Sequence, residues 1–169
     1  ARYGLGCEVV YVDDGSADPT LSIARGLKAE TLDLQVVSLS RNFGKEHALM
    51  AGLERTIGAA VVILDADLQE PLAHLETMLT YRAAGFEMIY AIRAERLDEG
   101  RVKRAFTRLF YAMVNLGSDS EIPADARDFR MMDRRVVDAL CALPERNRFM
   151  KGLYAWVGFR SKAIPIQLD

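Results

Sequence analysis

Three short apolar runs, each ending in a cluster of charged or amide side chains, constrain this chain more than any other feature. Residues 8–12 (EVVYV), 34–39 (LQVVSL) and 60–64 (AVVIL) are rich in β-branched residues and bounded by turn signals, so they read as strands. They break into Asp13-Asp14-Gly15-Ser16, Ser40-Arg41-Asn42-Phe43-Gly44 and Asp65-Ala66-Asp67-Leu68-Gln69. Helical patterns lie between them. Asp18 and Pro19 mark a helix start, with Leu21, Ile23, Ala24 and Leu27 as its apolar face. A helix over residues 45–57 carries Leu49, Met50 and Leu53, and one opened by Glu70-Pro71 carries Leu72, Leu75, Met78 and Leu79. A fourth strand covers 87–92. Strands apolar nearly throughout, alternating with helices, predict an α/β fold: a mostly parallel sheet with helices on both faces.

Beyond residue 93 the rhythm changes. Residues 99–117 read as one amphipathic helix, with Phe106, Phe110 and Met113 opposed to Arg101, Lys103, Arg104 and Arg108. A polar loop follows over 118–126, then a short strand over 129–132, helices over 134–142 and 148–156, and an extended end. No linker interrupts the 169 residues, so the chain reads as a single domain with an elaborated second half. The small net charge of −2 conceals an asymmetry. Residues 1–92 hold 7 Lys and Arg against 13 Asp and Glu, whereas residues 93–169 hold 15 against 11. A basic second half favours an anionic partner there.

Several classes are excluded. No apolar run approaches the roughly 20 residues needed to span a bilayer. Cys7 and Cys141 stand alone, which argues against a disulfide framework or zinc knuckle and for two reduced, buried thiols. His47 and His74 lack metal-pair spacing, and neither a Walker loop nor a GxGxxG fingerprint occurs. The chain begins almost at a strand and stops without a cap, so a fragment of something longer is expected.

In open parallel sheets, ligands bind outside the carboxyl ends of the strands. A lone Asp-x-Asp is explained as well by turn chemistry, but three polar clusters converging on one edge favour a site. Residues two apart at a strand end point the same way, so Asp65 and Asp67 can face one ion. Their oxygens suit a hard cation, Mg²⁺ or Mn²⁺, whose shell is completed by water and phosphate oxygens. Gln69 is placed to add an amide oxygen or orient a water. A metal-bridged diphosphate is the leading ligand.

DDGS (13–16), SRNFGK (40–45), DADLQ (65–69), YAIR (90–93), DFRMMDRR (128–135) and NRFMKGLYAWVGF (147–159) occur in this order. Together they resemble the inverting family 2 glycosyltransferases of GT-A fold, in particular those that use polyprenyl phosphates. The resemblance covers nearly the whole chain. It implies that residues 1–92 bind a nucleotide-sugar and that residues 93–169 face acceptor and membrane. Members usually open with a further strand ending in a PxYNEE-like loop; that strand is missing here, which would leave a gap in the sheet.

By resemblance, Asp13 or Asp14 meets the base or ribose, Arg41 lies near the nucleoside, and Asp65, Asp67 and Gln69 hold metal and diphosphate. Arg93 engages the diphosphate or acceptor phosphate. Asp128 stands near the reacting centre, and Arg130, Arg148 and Trp156 fall on the acceptor side. A phosphate acceptor, with a second pKa of about 6, arrives already ionised and needs no general base; a hydroxyl acceptor would need one. The expected activity is metal-dependent, inverting transfer of a hexose from a UDP-glucose-like or GDP-mannose-like donor to a polyprenyl phosphate. The expected place is the cytoplasmic face of the plasma membrane. The basic helix fits contact with that surface, nucleic acid is not an expected partner, and homo-oligomerisation stays open. A family 2 enzyme with a hydroxyl acceptor, and a non-catalytic membrane-surface or oligomerisation module, are the alternatives.

Overall fold

The computed structural model describes residues 6–27, 32–67, 72–93, 126–145 and 149–166. The helix expected over 99–117, and with it Gln69 and Arg148, lies outside these residues. Six strands and five helices follow in the order β1 (Glu8–Asp13), α1 (Thr20–Gly26), β2 (Asp33–Ser38), α2 (Lys45–Leu53), β3 (Ala60–Ile63), α3 (His74–Ala83) and β4 (Met88–Arg93). The second half adds β5 (Ala126–Asp133), α4 (Arg134–Ala142), α5 (Met150–Trp156) and β6 (Ser161–Ile166).

The strands form two sheets among the described residues. β1 and β2 pair in parallel, and β3, β5, β4 and β6 form a separate four-stranded sheet in that order. β4 and β6 are parallel, but β5 runs antiparallel to both its neighbours. The sheet is therefore mixed, with β3, β4 and β6 running in one direction and β5 alone opposed to them. The strand expected at 129–132 is twice as long and lies between β3 and β4. The second half of the chain thus supplies an inner strand to the sheet begun by the first. β1 and β3 share no ladder; Glu8 of β1 instead accepts hydrogen bonds through Oε1 from Ile57 N (2.7 Å) and Gly58 N (2.8 Å), just before β3.

Alternation along β5 sends side chains to two cores. Met132 packs with Val61, Ile63 and Met88 beneath α2, α4 and α5. Phe129 and Met131 pack with Ile89, Ala91, Ile164 and Ile166 beneath Met78 of α3. Helices therefore cover both faces of the four-stranded sheet, as expected. Met50 and Leu53 are buried at their helical spacing, as is Met78. Two expected faces differ. Ile23 and Leu27 are exposed, because α1 rests on only two strands and buries Ala24 alone. Leu72 is exposed because it precedes the first turn of α3. Cys7 is exposed and Cys141 half-buried, so neither is the buried thiol expected.

Local chemistry ties the loops that carry polar clusters. Asp18 accepts from Thr20 N at 3.0 Å, and α1 starts one residue later than its sequence indicates, with Pro19 rather than Asp18 in the cap position. The buried Asp13 carboxylate accepts from Ser16 N and from the Ser38 hydroxyl, each at 3.3 Å, closing the turn after β1 onto β2. Asp14 accepts from Phe43 N (2.8 Å) and Gly44 N (2.9 Å), one oxygen to each. Gly15 sits between, at φ 72°, where a Cβ would stand 2.4 Å from the Arg41 carbonyl carbon. Both the left-handed backbone and the close approach require glycine.

Gly15→Ala is expected to destabilise the protein by about 1–3 kcal/mol and to accelerate hydrogen exchange at the Phe43 and Gly44 amides. Unchanged exchange would show that the two loops are not locked through this contact. At the opposite end of the sheet, Asp133 caps α4 through Arg135 N (3.3 Å) and accepts from Arg82 Nη2 at 2.7 Å. Burial is the largest influence and opposes its ionisation, but the hydrogen bonds from Arg82 and the Arg135 amide, with the charges of both arginines, together outweigh it, and the Asp133 pKa lies below the ordinary 3.8. Its stabilisation is present above that value and lost as pH falls through the lower folded value. Asp133→Ala is expected to cost about 2 kcal/mol in urea unfolding near neutral pH. The difference from the parent protein should shrink below about pH 4.

Candidate active site

The β3–β5 ladder brings together two carboxylates that lie far apart in sequence. Ala60 pairs with Asp133 and Ile63 with Arg130. The last pair of that ladder leaves Asp65, two residues past Ile63, and Asp128, two residues before Arg130, at the same edge of the sheet. The β4–β5 register shifts between Tyr90 and Ile92 as β5 passes from Arg130 to Ala126. This irregularity falls on residues 127–129, where a bulge re-aims side chains at the end of the ladder.

Lys45, the first residue of α2, reaches between the two carboxylates. Its Nζ lies 2.9 Å from Asp65 Oδ1 and 2.6 Å from Asp128 Oδ2. Burial works against the ammonium charge, but hydrogen bonds and attraction from Asp128 and Asp65 raise the Lys45 pKa to about 12. It is a cation throughout the range in which the protein is expected to work. Lys45 lies inside the SRNFGK segment, yet sequence reading did not single it out. Its position directly after the glycine that starts α2, on the same strand edge as Asp65, was the available signal.

Arg130 underlies this pair. It is 2% exposed, and its guanidinium stacks 3.5 Å above the Tyr154 ring. It donates from Nη2 to Arg127 O (2.7 Å) and from Nε to Asp128 O (3.4 Å). Burial lowers its pKa from 12.5, but neighbouring groups including Asp128 and Glu46 favour the charge. An arginine stays protonated in such surroundings. It therefore acts from within, bracing the bulge that carries Asp128. Tyr154, also not anticipated, is buried under Arg130, and burial pushes its hydroxyl up to about 12. Glu46 accepts from Met150 N (3.1 Å), fixing the start of α5 against α2.

The other expected residues surround this centre. Asp67 lies exposed in the turn after β3, two residues beyond Asp65. Arg41 stacks 4.6 Å over the ring of Phe43 in the loop held by Asp14. Asp13 and Asp14 both serve the loop hydrogen bonds described above. Arg93 ends β4, its backbone paired with Ile166. Trp156 closes α5 with its side chain 63% exposed. Among the described residues, no group of three or more His, Cys, Asp and Glu gathers as a metal cage, and no helix is long and apolar enough to cross a membrane. Asp65, just past β3, and Asp67, in the turn beyond it, supply carboxylate oxygens of the kind that suit a hard divalent cation taking its remaining ligands from water and phosphate.

Comparison with known proteins shows the family and the fold. The chain is 41% identical over 157 residues to a bactoprenol glucosyl transferase of Shigella phage SfX, covering 93% of this chain and 52% of that protein. It is 43% identical over 153 residues to an uncharacterized glycosyltransferase of Synechocystis, covering 90% and 48% respectively. The chain thus spans about half the length of these relatives. Among solved structures, a mannosyltransferase from Pyrobaculum calidifontis in complex with GDP-Man and Mn²⁺ superposes with a TM-score of 0.61. That match has 23% identity and covers 94% of this chain and 45% of that one. S. aureus TarS superposes with a TM-score of 0.59 at 16% identity, covering 95% and 49%. Both likenesses establish a GT-A fold. With residues 1–141 also matching the family model described as glycosyl transferase family 2, this chain belongs to that family.

Proposed function

We propose that this chain is the catalytic region of an enzyme that transfers glucose from a nucleotide-sugar to a polyprenyl phosphate. The observation that carries this reading is the 41% identity to a bactoprenol glucosyl transferase across 93% of the chain, a span that includes Lys45, Asp65 and Asp128. Residues 1–92 form the donor side and residues 93–169 the acceptor side. The relatives' lipid substrate favours action at the cytoplasmic membrane face, where a basic second half meets anionic headgroups.

In this reading Asp65 and Asp67 hold a divalent cation, Mg²⁺ or Mn²⁺, with Gln69 beside them. When bound, that cation neutralises charge on the diphosphate that departs. Arg93 adds positive charge at the same edge. Asp14, by clamping the Phe43 and Gly44 amides, shapes the loop whose Arg41 meets the nucleoside. Asp128, fixed by Lys45 from one side and braced by Arg130 from below, orients the donor sugar and acceptor. Arg148 and Trp156 belong to the acceptor side. An acceptor phosphate oxygen forms a bond to the anomeric carbon, the bond from that carbon to the diphosphate oxygen breaks, and the nucleoside diphosphate leaves with the electron pair. No proton need be removed once the phosphate monoester is doubly ionised, above a pKa of about 6.

The test uses the full-length protein with UDP-glucose, Mn²⁺ and undecaprenyl phosphate. Lipid-linked glucose is the expected product, and its rate should rise through about pH 6 and level off above. Product with hydroxyl acceptors alone would contradict the acceptor assignment. Asp67→Ala is expected to lower turnover by about two to three orders of magnitude and to abolish metal-dependent donor binding in calorimetry. Unchanged donor affinity would favour a non-catalytic module.

A further inference from the structure

We propose that Lys45 is a resident counter-ion of the metal site. It holds Asp65 and Asp128 together while no divalent cation is bound, and it gives up Asp65 when one binds. The inference rests on the reading of Asp65 as a metal ligand.

Three observations carry it. First, Asp65 and Asp128 meet just beyond the last β3–β5 pair, Ile63 with Arg130, and the Lys45 ammonium is within 3 Å of both. Two carboxylates so placed repel unless a cation lies between them. The ammonium meets both oxygens of Asp65, with Oδ2 also at 2.9 Å. A divalent cation ligated by Asp65 needs those same oxygens and brings a second positive charge beside the first. Lys45 and the cation therefore compete.

Second, Lys45 occupies the first residue of α2, where the helix dipole disfavours a cation. Its placement answers to the carboxylates rather than to the helix. Third, the movement required is confined to the side chain. The preceding amides of Phe43 and Gly44 are clamped by Asp14, while the Lys45 side chain is 49% exposed and has a four-carbon stem that can swing. Released from Asp65, the ammonium keeps its bond to Asp128 and turns two of its three donors outward, toward an arriving diphosphate. The arrangement favours metal that arrives with a phosphate ligand over bare metal.

The test is Mn²⁺ binding to the full-length protein by calorimetry, without nucleotide. Lys45→Met is expected to bind Mn²⁺ about tenfold or more tightly than the parent protein, since a like charge beside the ion is removed. Lys45→Arg, which keeps the charge, should stay within about threefold of the parent. Asp65→Asn in the Lys45→Met background should abolish the gain. Equal affinity of the parent and Lys45→Met, both lost on Asp65→Asn, would overturn the counter-ion role and leave the metal site standing. Mn²⁺ binding that is indifferent to Asp65 in both backgrounds would overturn the metal assignment itself. A Lys45→Met protein that keeps the parent's circular dichroism spectrum and unfolds cooperatively in urea makes either result decisive.

Discussion

The antiparallel pairing of β5 with β3 is the constraint on which the rest of the site depends. It joins the two halves of the chain in one sheet, and it brings Asp65 and Asp128 to the same sheet edge, where one ammonium touches both. Everything around the centre follows from that meeting of like charges. Lys45 enters from α2 to neutralise them, and Arg130 fills the face below with a buried cation whose hydrogen bonds end on the backbone of the bulge. Tyr154 and Glu46 carry the same contacts into α5, so the helix that ends at Trp156 is positioned by the site's own supports.

A second unit performs a different task. The β1–β2 pair turns its carboxylates inward, where Asp13 and Asp14 are spent on hydrogen bonds that shape the Arg41–Gly44 loop. Gly15 permits that loop to approach within van der Waals distance of the turn after β1. The Arg41–Gly44 loop is thus held from behind by a carboxylate, while the Lys45–Asp65–Asp128 cluster gathers charge where β3 ends and β5 begins.

Much of this was legible in the sequence, and what was not has a physical cause. Local periodicity located α2 and α3 and the buried Met50, Leu53 and Met78, because i, i+3 and i+4 neighbours share a face whatever surrounds them. Strand-end polarity located Asp13, Asp14, Arg41, Asp65 and Asp67. The place and direction of β5 were not legible, since pairing partners are chosen by contacts across more than sixty residues. Ile23 and Leu27 were assigned to a core that two strands are too few to provide. Arg130 was placed on the acceptor side by resemblance alone; its burial was not legible, because it depends on a tyrosine 24 residues away and on a bulge. Lys45 escaped for the same reason: its meaning lies in two carboxylates brought to it by the fold.

The central claim is that donor and metal assemble where β3 and β5 end. Paramagnetic broadening by Mn²⁺ with UDP, read from backbone amide signals of the isotopically labelled protein, tests it most directly. Broadening should centre on Asp65, Asp67 and Asp128 and should spare Asp133 and Arg82 at the opposite end of the sheet. Broadening centred elsewhere, with Asp65 and Asp128 unaffected, would contradict the account.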